Sequence, residues 1–150
     1  MRRVLGLRRC ALGYGTMQVM RAIARRENGT LKHDVEIRHH MLVADEPEEE
    51  GGHDSGPSPQ ELLAASLASC TAATMAMYAE RKGWNIGEVA VDVSYEPAQR
   101  GTPTRFKLDV QMPKELPDEQ RERLMQIAAK CPVHRTLEGE VMFEESVELV

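Results

Sequence analysis

The stretch GPSPQELLAASLASCTAATMAMYAERKG, Gly56 to Gly83, constrains the fold more than any other part of the chain. Ser58 is a good helix N-cap, Pro59 suits the first helical position, and Glu61 stands three residues after Ser58, the spacing of a capping box. Gly83 supplies the left-handed residue at which such helices end. Between these marks Leu63, Leu67, Cys70, Thr74 and Met77 recur at helical spacing and predict one stripe facing the interior. Most neighbouring positions are Ala or Ser, small enough for other backbones to approach closely. The expectation is a long, central, buried helix with a thiol in its middle.

The segments around this helix read as strands. From Met17 to Pro47 apolar residues alternate on both sides of Asn28-Gly29, a dipeptide suited to a tight hairpin turn. Val19, Arg21 and Ile23 lie before it and Leu31, Val35 and Ile37 after it, with a third short strand around Leu42–Ala44. The following DEPEEEGGHDSGPSP is rich in Gly, Pro and acids and reads as a solvated surface loop. Beyond the helix, EVAVDVSYE and TRFKLDVQMP alternate around the turn-rich PAQRGTP. A second helix is predicted over about Asp118 to Lys130, with Leu124, Ile127, Ala128 and Cys131 on its apolar face. Pro132 disfavours helical geometry at Cys131, so that thiol sits where the helix breaks. EVMFEESVELV closes the chain as an alternating strand. Strands and helices do not alternate one for one, which makes the fold α+β with antiparallel sheets and two main helices. The N-terminal hairpin is weak by itself, and completing its sheet on a second chain makes dimerisation the natural expectation.

Length and charge narrow the functional classes. The 150 residues suit one domain. The formal charge of −5 offers no basic face to nucleic acid. No purely apolar run reaches the roughly 18 residues of a membrane span, so a soluble protein without a membrane partner is expected. Aromatic residues make up 4% of the chain, so its 9 methionines and many alanines must fill much of an adaptable core. The first sixteen residues carry four arginines and no acid. They read as a basic extension ahead of a domain spanning 17–150, either a presequence or the product of a start codon upstream of Met17 or Met20.

Three cysteines, Cys10, Cys70 and Cys131, with no CxxC pair and no secretory signal, point to a reducing, cytoplasmic compartment. Cys10 falls in the basic extension and is set aside. Cys70 and Cys131 both occupy inward-facing helix positions, which leaves two readings open. They are small buried packing residues, or they share a pocket as a reactive thiol and its resolving partner. His134, in CPVH, supplies half of a zinc ligand set at most, and no second cysteine pair stands near it, so a turn histidine bonded to backbone is the ordinary account. His33, His39, His40 and His53 are scattered upstream.

The segments DEPEEEGGHDSGPSPQELLAASLASCTAATMAMYAERKGW and DEQRERLMQIAAKCPVHRTL resemble the OsmC/Ohr family, and within it the small OsmC-like redox proteins. The resemblance implies an intertwined homodimer with two active sites at the subunit interface. It implies a thiol-dependent hydroperoxide reductase serving oxidative stress defence, with Cys70 as the peroxidatic and Cys131 as the resolving cysteine. Organic hydroperoxide would be the substrate and a dithiol of lipoyl or thioredoxin type the reductant. No metal or organic cofactor is required. A thiolate needs a nearby cation, and family members take an arginine from the N-terminal hairpin. Arg26 is the nearest match, with Arg25 and Arg38 as rivals. Family peroxidases hold that arginine with a glutamate ten residues before the peroxidatic cysteine, where this chain has Gln60, with the acid one place on at Glu61. Glu61 lies about 180° around the helix from Cys70 and ~13 Å along it, so it cannot reach the thiol of its own helix; a partner chain's thiol stays open to it, and capping is its expected role. The competing reading is a non-enzymatic binding protein for a small apolar ligand, with both cysteines buried as structure.

Overall fold

The computed structural model describes residues 19–149. The basic segment 1–16 and Cys10 lie outside the described residues. The elements run β1 (Ile23–Arg26), β2 (His33–Ile37), β3 (His40–Ala44), α1 (Pro59–Lys82), β4 (Ala90–Glu96), β5 (Arg105–Gln111), α2 (Asp118–Ala128) and α3 (Pro132–Glu138). This is the expected α+β order with antiparallel sheets. β1, β2 and β3 form one sheet in that order and β4 pairs with β5 in another.

The N-terminal hairpin forms with a wider turn than Asn28-Gly29 alone predicts. Arg26 pairs with His33, the Glu27 amide donates to the Lys32 carbonyl at 3.0 Å, and Leu31 belongs to the turn rather than to β2. Gly29 takes φ +83°, the left-handed value that glycine reaches without strain. The tight two-residue turn lies instead between β2 and β3, where Ile37 pairs with His40 and Arg38 adopts φ +57°.

α1 begins and ends where the sequence places it. Ser58 Oγ accepts from the Glu61 amide at 3.3 Å, Glu61 Oε2 accepts from the Ser58 amide at 2.7 Å, and Gly83 closes the helix at φ +66°. The buried stripe differs from the expected one. Leu67, Thr71, Met75 and Ala79 are buried at successive i, i+4 positions, Leu63, Cys70 and Thr74 are half-buried, and Met77 is exposed. At about 100° per residue the buried face is turned by roughly 100° from the predicted stripe. The cause is packing. An Ala- and Ser-rich helix has little preference for one face, so α2, α3 and β4 select the side they cover. By length and composition an 18-residue stretch of α1 is also apolar enough to cross a membrane, although no run of that length is purely apolar. Here its buried side is part of the core, packed around Met75, Ala79, Ile86, Leu116, Leu124 and Ala128.

The C-terminal part departs most from expectation. α2 stops at Ala128 rather than Lys130, and a third helix, α3, follows Cys131. Residues 140–149 form no strand with any other part of the described residues. A strand needs a neighbour to satisfy its backbone groups, and neither sheet takes this segment as a neighbour.

The acidic loop is ordered around one residue. Asp45 is 1% exposed, and its carboxylate accepts from the amides of Glu46 (2.9 Å), His53 (3.1 Å) and Ser55 (3.1 Å). A Cβ at Gly52 would meet the Glu46 carbonyl oxygen at 1.8 Å, and one at Gly56 the Val43 oxygen at 2.4 Å. Only glycine fits at either position. The loop thus pins the start of α1 to the end of β3, where a purely solvated loop was expected.

Candidate active site

Cys70 is held in the middle of α1, whose frame is fixed by the Ser58–Glu61 capping box and the Gly83 terminus. Its side chain is half-buried and its thiol is free. The hydroxyls around it are occupied by backbone. Thr74 Oγ1 donates to the Cys70 carbonyl at 2.7 Å, Ser66 Oγ to Leu63 at 2.7 Å and Ser69 Oγ to Ser66 at 3.2 Å.

Cys131 comes to the same helix from sixty residues away. Pro132 fixes the first position of α3 and keeps Cys131 extended (φ −62°, ψ 145°), so Cys131 becomes the N-cap of that helix. Its sulfur accepts from the His134 amide at 3.3 Å and from Thr71 Oγ1 at 3.5 Å. Cys131 and Thr71 are both fully buried, and Thr71 directly follows Cys70 on α1. The expected helix break at Cys131 is therefore present, and it is the start of a helix that the sequence pattern did not reveal.

The arginines are occupied within the hairpin. Arg26 Nη1 donates to the Thr30 carbonyl at 3.2 Å, Arg25 Nη1 pairs with Glu36 Oε2 at 3.1 Å, and Arg38 Nη2 lies 3.4 Å from His40 Nε2. Among the described residues no arginine hydrogen-bonds either thiol. Gln60 is exposed in the first turn of α1. Glu61 is the capping-box acid, and the Ser58 amide and hydroxyl that contact it hold its carboxyl below the ordinary value. Cys131 thus docks on the helix that carries Cys70, and among the described residues none of Arg26, Gln60 and Glu61 hydrogen-bonds either thiol.

His134 is helical rather than in a turn. Its Nε2 lies 3.0 Å from Glu138 Oε1, and its Nδ1 is buried without a hydrogen-bond partner among the described residues. No group of three or more His, Cys, Asp or Glu side chains suited to a metal occurs among those residues. Asp45 escaped the sequence reading because it opens a run of acids that looks uniformly solvated. The available signal was the pair Gly52 and Gly56, which mark close backbone approach. A concavity of about 720 Å³ at the edge of the first sheet is lined by residues from Val19 to Ile23 and Glu36 to Arg38, and neither cysteine borders it.

Comparison with known proteins places this geometry. Residues 52–146, more than half of the chain, match the family of OsmC-like proteins. No curated protein sequence matches significantly. Among solved structures, an OsmC-like protein from Mycoplasma pneumoniae superposes with a TM-score of 0.70 at 19% identity, over 83% of this chain and 90% of its own. An organic hydroperoxide resistance protein OsmC from Legionella pneumophila gives 0.62 at 21% identity, over 83% and 92%. The organic hydroperoxide resistance protein OhrB of Bacillus subtilis gives 0.58 at 20% identity, over 83% and 93%. At these identities the superpositions establish a shared fold.

Proposed function

This chain belongs to the OsmC-like protein family, and from that premise we propose that it is a cytoplasmic, homodimeric, thiol-dependent hydroperoxide reductase. The observation that carries the reading is the Cys131 sulfur resting on Thr71, the residue next to Cys70. Two thiols far apart in sequence, both free, meet one stretch of one helix. Cys70 attacks the peroxide O–O bond, an alcohol leaves, and a sulfenic acid remains on Cys70. Cys131 then condenses with it, forming a disulfide and releasing water, and an external dithiol of lipoyl or thioredoxin type restores both thiols. Organic hydroperoxides are the proposed substrates, in keeping with the hydroperoxide resistance proteins that share the fold. Exposed Met41, Met77, Val141 and Phe143 support a second copy covering these surfaces. The thiolate-stabilising arginine is proposed to come across that interface, with Arg26 the candidate and Gln60 in place of the family glutamate.

The test is the intact mass of the Cys10→Ser protein after one equivalent of cumene hydroperoxide without reductant. A loss of about two mass units, mapped to a Cys70–Cys131 bond, is the expected result. Unchanged mass, with both thiols titratable after unfolding, would refute it.

One observation favours a second reading, a non-enzymatic binding protein for a small apolar ligand. Arg25 and Arg26 are engaged within their own hairpin, and among the described residues no arginine hydrogen-bonds either thiol. On that reading Cys70→Ser leaves ligand affinity intact, whereas on the first it abolishes peroxide turnover.

A further inference from the structure

The two cysteines differ in access and in what their sulfurs touch. Cys131 is 0% exposed within its own chain, whereas Cys70 is half-buried. A second copy seated on this chain can only add cover over Cys131. An incoming thiolate attacks a disulfide along the S–S axis, so access decides which sulfur it meets. The other sulfur departs with the electron pair of the broken bond. Two donors already point at the sulfur of Cys131, the Thr71 hydroxyl at 3.5 Å and the His134 amide at 3.3 Å. Pro132 and α3 fix the amide, and Thr71 is itself 0% exposed on α1. These are contacts of the free sulfur, the form in which Cys131 arrives when a disulfide opens. Donors held in place and shielded from water meet developing charge without reorganising. The hydroxyls of Ser66, Ser69 and Thr74 are bound to backbone carbonyls instead, and among the described residues none of them donates to the Cys70 sulfur.

We propose that the external dithiol opens the Cys70–Cys131 disulfide at Cys70, and that Thr71 is a catalytic residue of this reductive step, its hydroxyl meeting the charge on the departing Cys131 sulfur. The role rests on the reading of Cys70 and Cys131 as a redox pair. One sulfur of the dithiol, as thiolate, bonds to Cys70 Sγ while the S–S bond breaks and its electron pair goes to Cys131 Sγ. The Thr71 hydroxyl and the His134 amide hold that sulfur until it takes up a proton. The second sulfur of the dithiol then attacks the first, closing the reductant's own disulfide and releasing Cys70. The dithiol loses two electrons, the protein disulfide gains them, and the two protons of the dithiol end on the two cysteine thiols. Cys131 therefore never meets the reductant, and its burial is compatible with turnover.

The experiment oxidises full-length Cys10→Ser protein with diamide, which needs no peroxide, and treats it briefly with 2-mercaptoethanol. The protein is then unfolded in excess N-ethylmaleimide and its peptides are weighed. Mercaptoethanol on Cys70 with maleimide on Cys131 is the expected result. With dihydrolipoamide in place of the monothiol, Thr71→Val should slow opening of the disulfide about tenfold, the scale of one lost hydrogen bond to a charged atom. Thr71→Ser, which keeps the hydroxyl, should restore most of the rate. Alkylation of Cys70 by iodoacetamide in the reduced protein should be the same in all three forms, which separates a lost donor from a disturbed helix. Mercaptoethanol on Cys131, or a Thr71→Val rate equal to that of Thr71→Ser, overturns the proposal and leaves the redox pair standing. No Cys70–Cys131 bond after diamide overturns the redox pair and this step with it.

Discussion

The Thr71 hydroxyl donates to the Cys131 sulfur at 3.5 Å, joining two fully buried residues sixty positions apart. This contact docks the start of α3 onto the middle of α1. Thr71→Val keeps the shape and removes the donor. The expected cost is about 0.5–1.5 kcal/mol, measured by urea unfolding, together with altered reactivity of Cys131 and unaltered reactivity of Cys70. Equal change at both thiols would show that Thr71 merely fills space.

The Asp45 carboxylate should make stability depend on pH. Burial pushes its pKa up, but the amides of Ser55, Glu46 and His53 outweigh that and hold it below the usual carboxylate value. A carboxyl with a lowered folded pKa contributes stability that is fully present above the unfolded value and lost as pH falls through the folded one. Asp45→Asn keeps the shape of the side chain but not the charge. It should lower the unfolding midpoint at neutral pH, and the gap to the wild type should narrow as the solution is acidified. A gap constant with pH would mean that the amide bonds, and not the charge, carry the effect.

Ser58 tests the helix that presents Cys70. Ser58→Ala removes the acceptor of the Glu61 amide and one half of the capping box. The expected loss is about 1 kcal/mol, with Ser58→Thr close to wild type in chemical denaturation. If Ala and Thr behave alike, the cap is not holding the helix.

Local signals survived into the structure where a residue's own chemistry decides the outcome. Ser58, Pro59, Glu61 and Gly83 mark α1 because capping is settled within a turn of the chain. Alternation in β4 and β5 held for the same reason. The buried face of α1 was not legible, since small residues recur all round the helix beside Leu67 and Met75 and tertiary contact made the choice. α3 was hidden because Pro132 signals an end to α2 as readily as a beginning to the next helix. Cys131 was legible as a break, but its Thr71 partner was not, because a buried hydroxyl on a small-residue helix has no spacing signature. The hairpin arginines were legible as candidates, and their engagement with Thr30 and Glu36 was not.

The alternation of the C-terminal segment has no partner strand among the described residues. Val141, Phe143, Val147 and Leu149 share one parity and are 52, 82, 89 and 93% exposed. Side chains two apart face the same way in a strand, so this parity places four large apolar groups on one face. Burying even one Phe or Val of that set is worth about 1.5–3 kcal/mol, enough to favour pairing with a second copy over exposure. Phe143→Asp should therefore convert a dimer into monomer, read by light scattering coupled to size-exclusion chromatography, while the fold of α1 and α2 persists by circular dichroism. Glu145→Lys, which shares the face but contributes little apolar area, should leave the dimer in place. If Phe143→Asp remains dimeric, this face is not part of the interface, and the exposed Met41 and Met77 become the surfaces to substitute next.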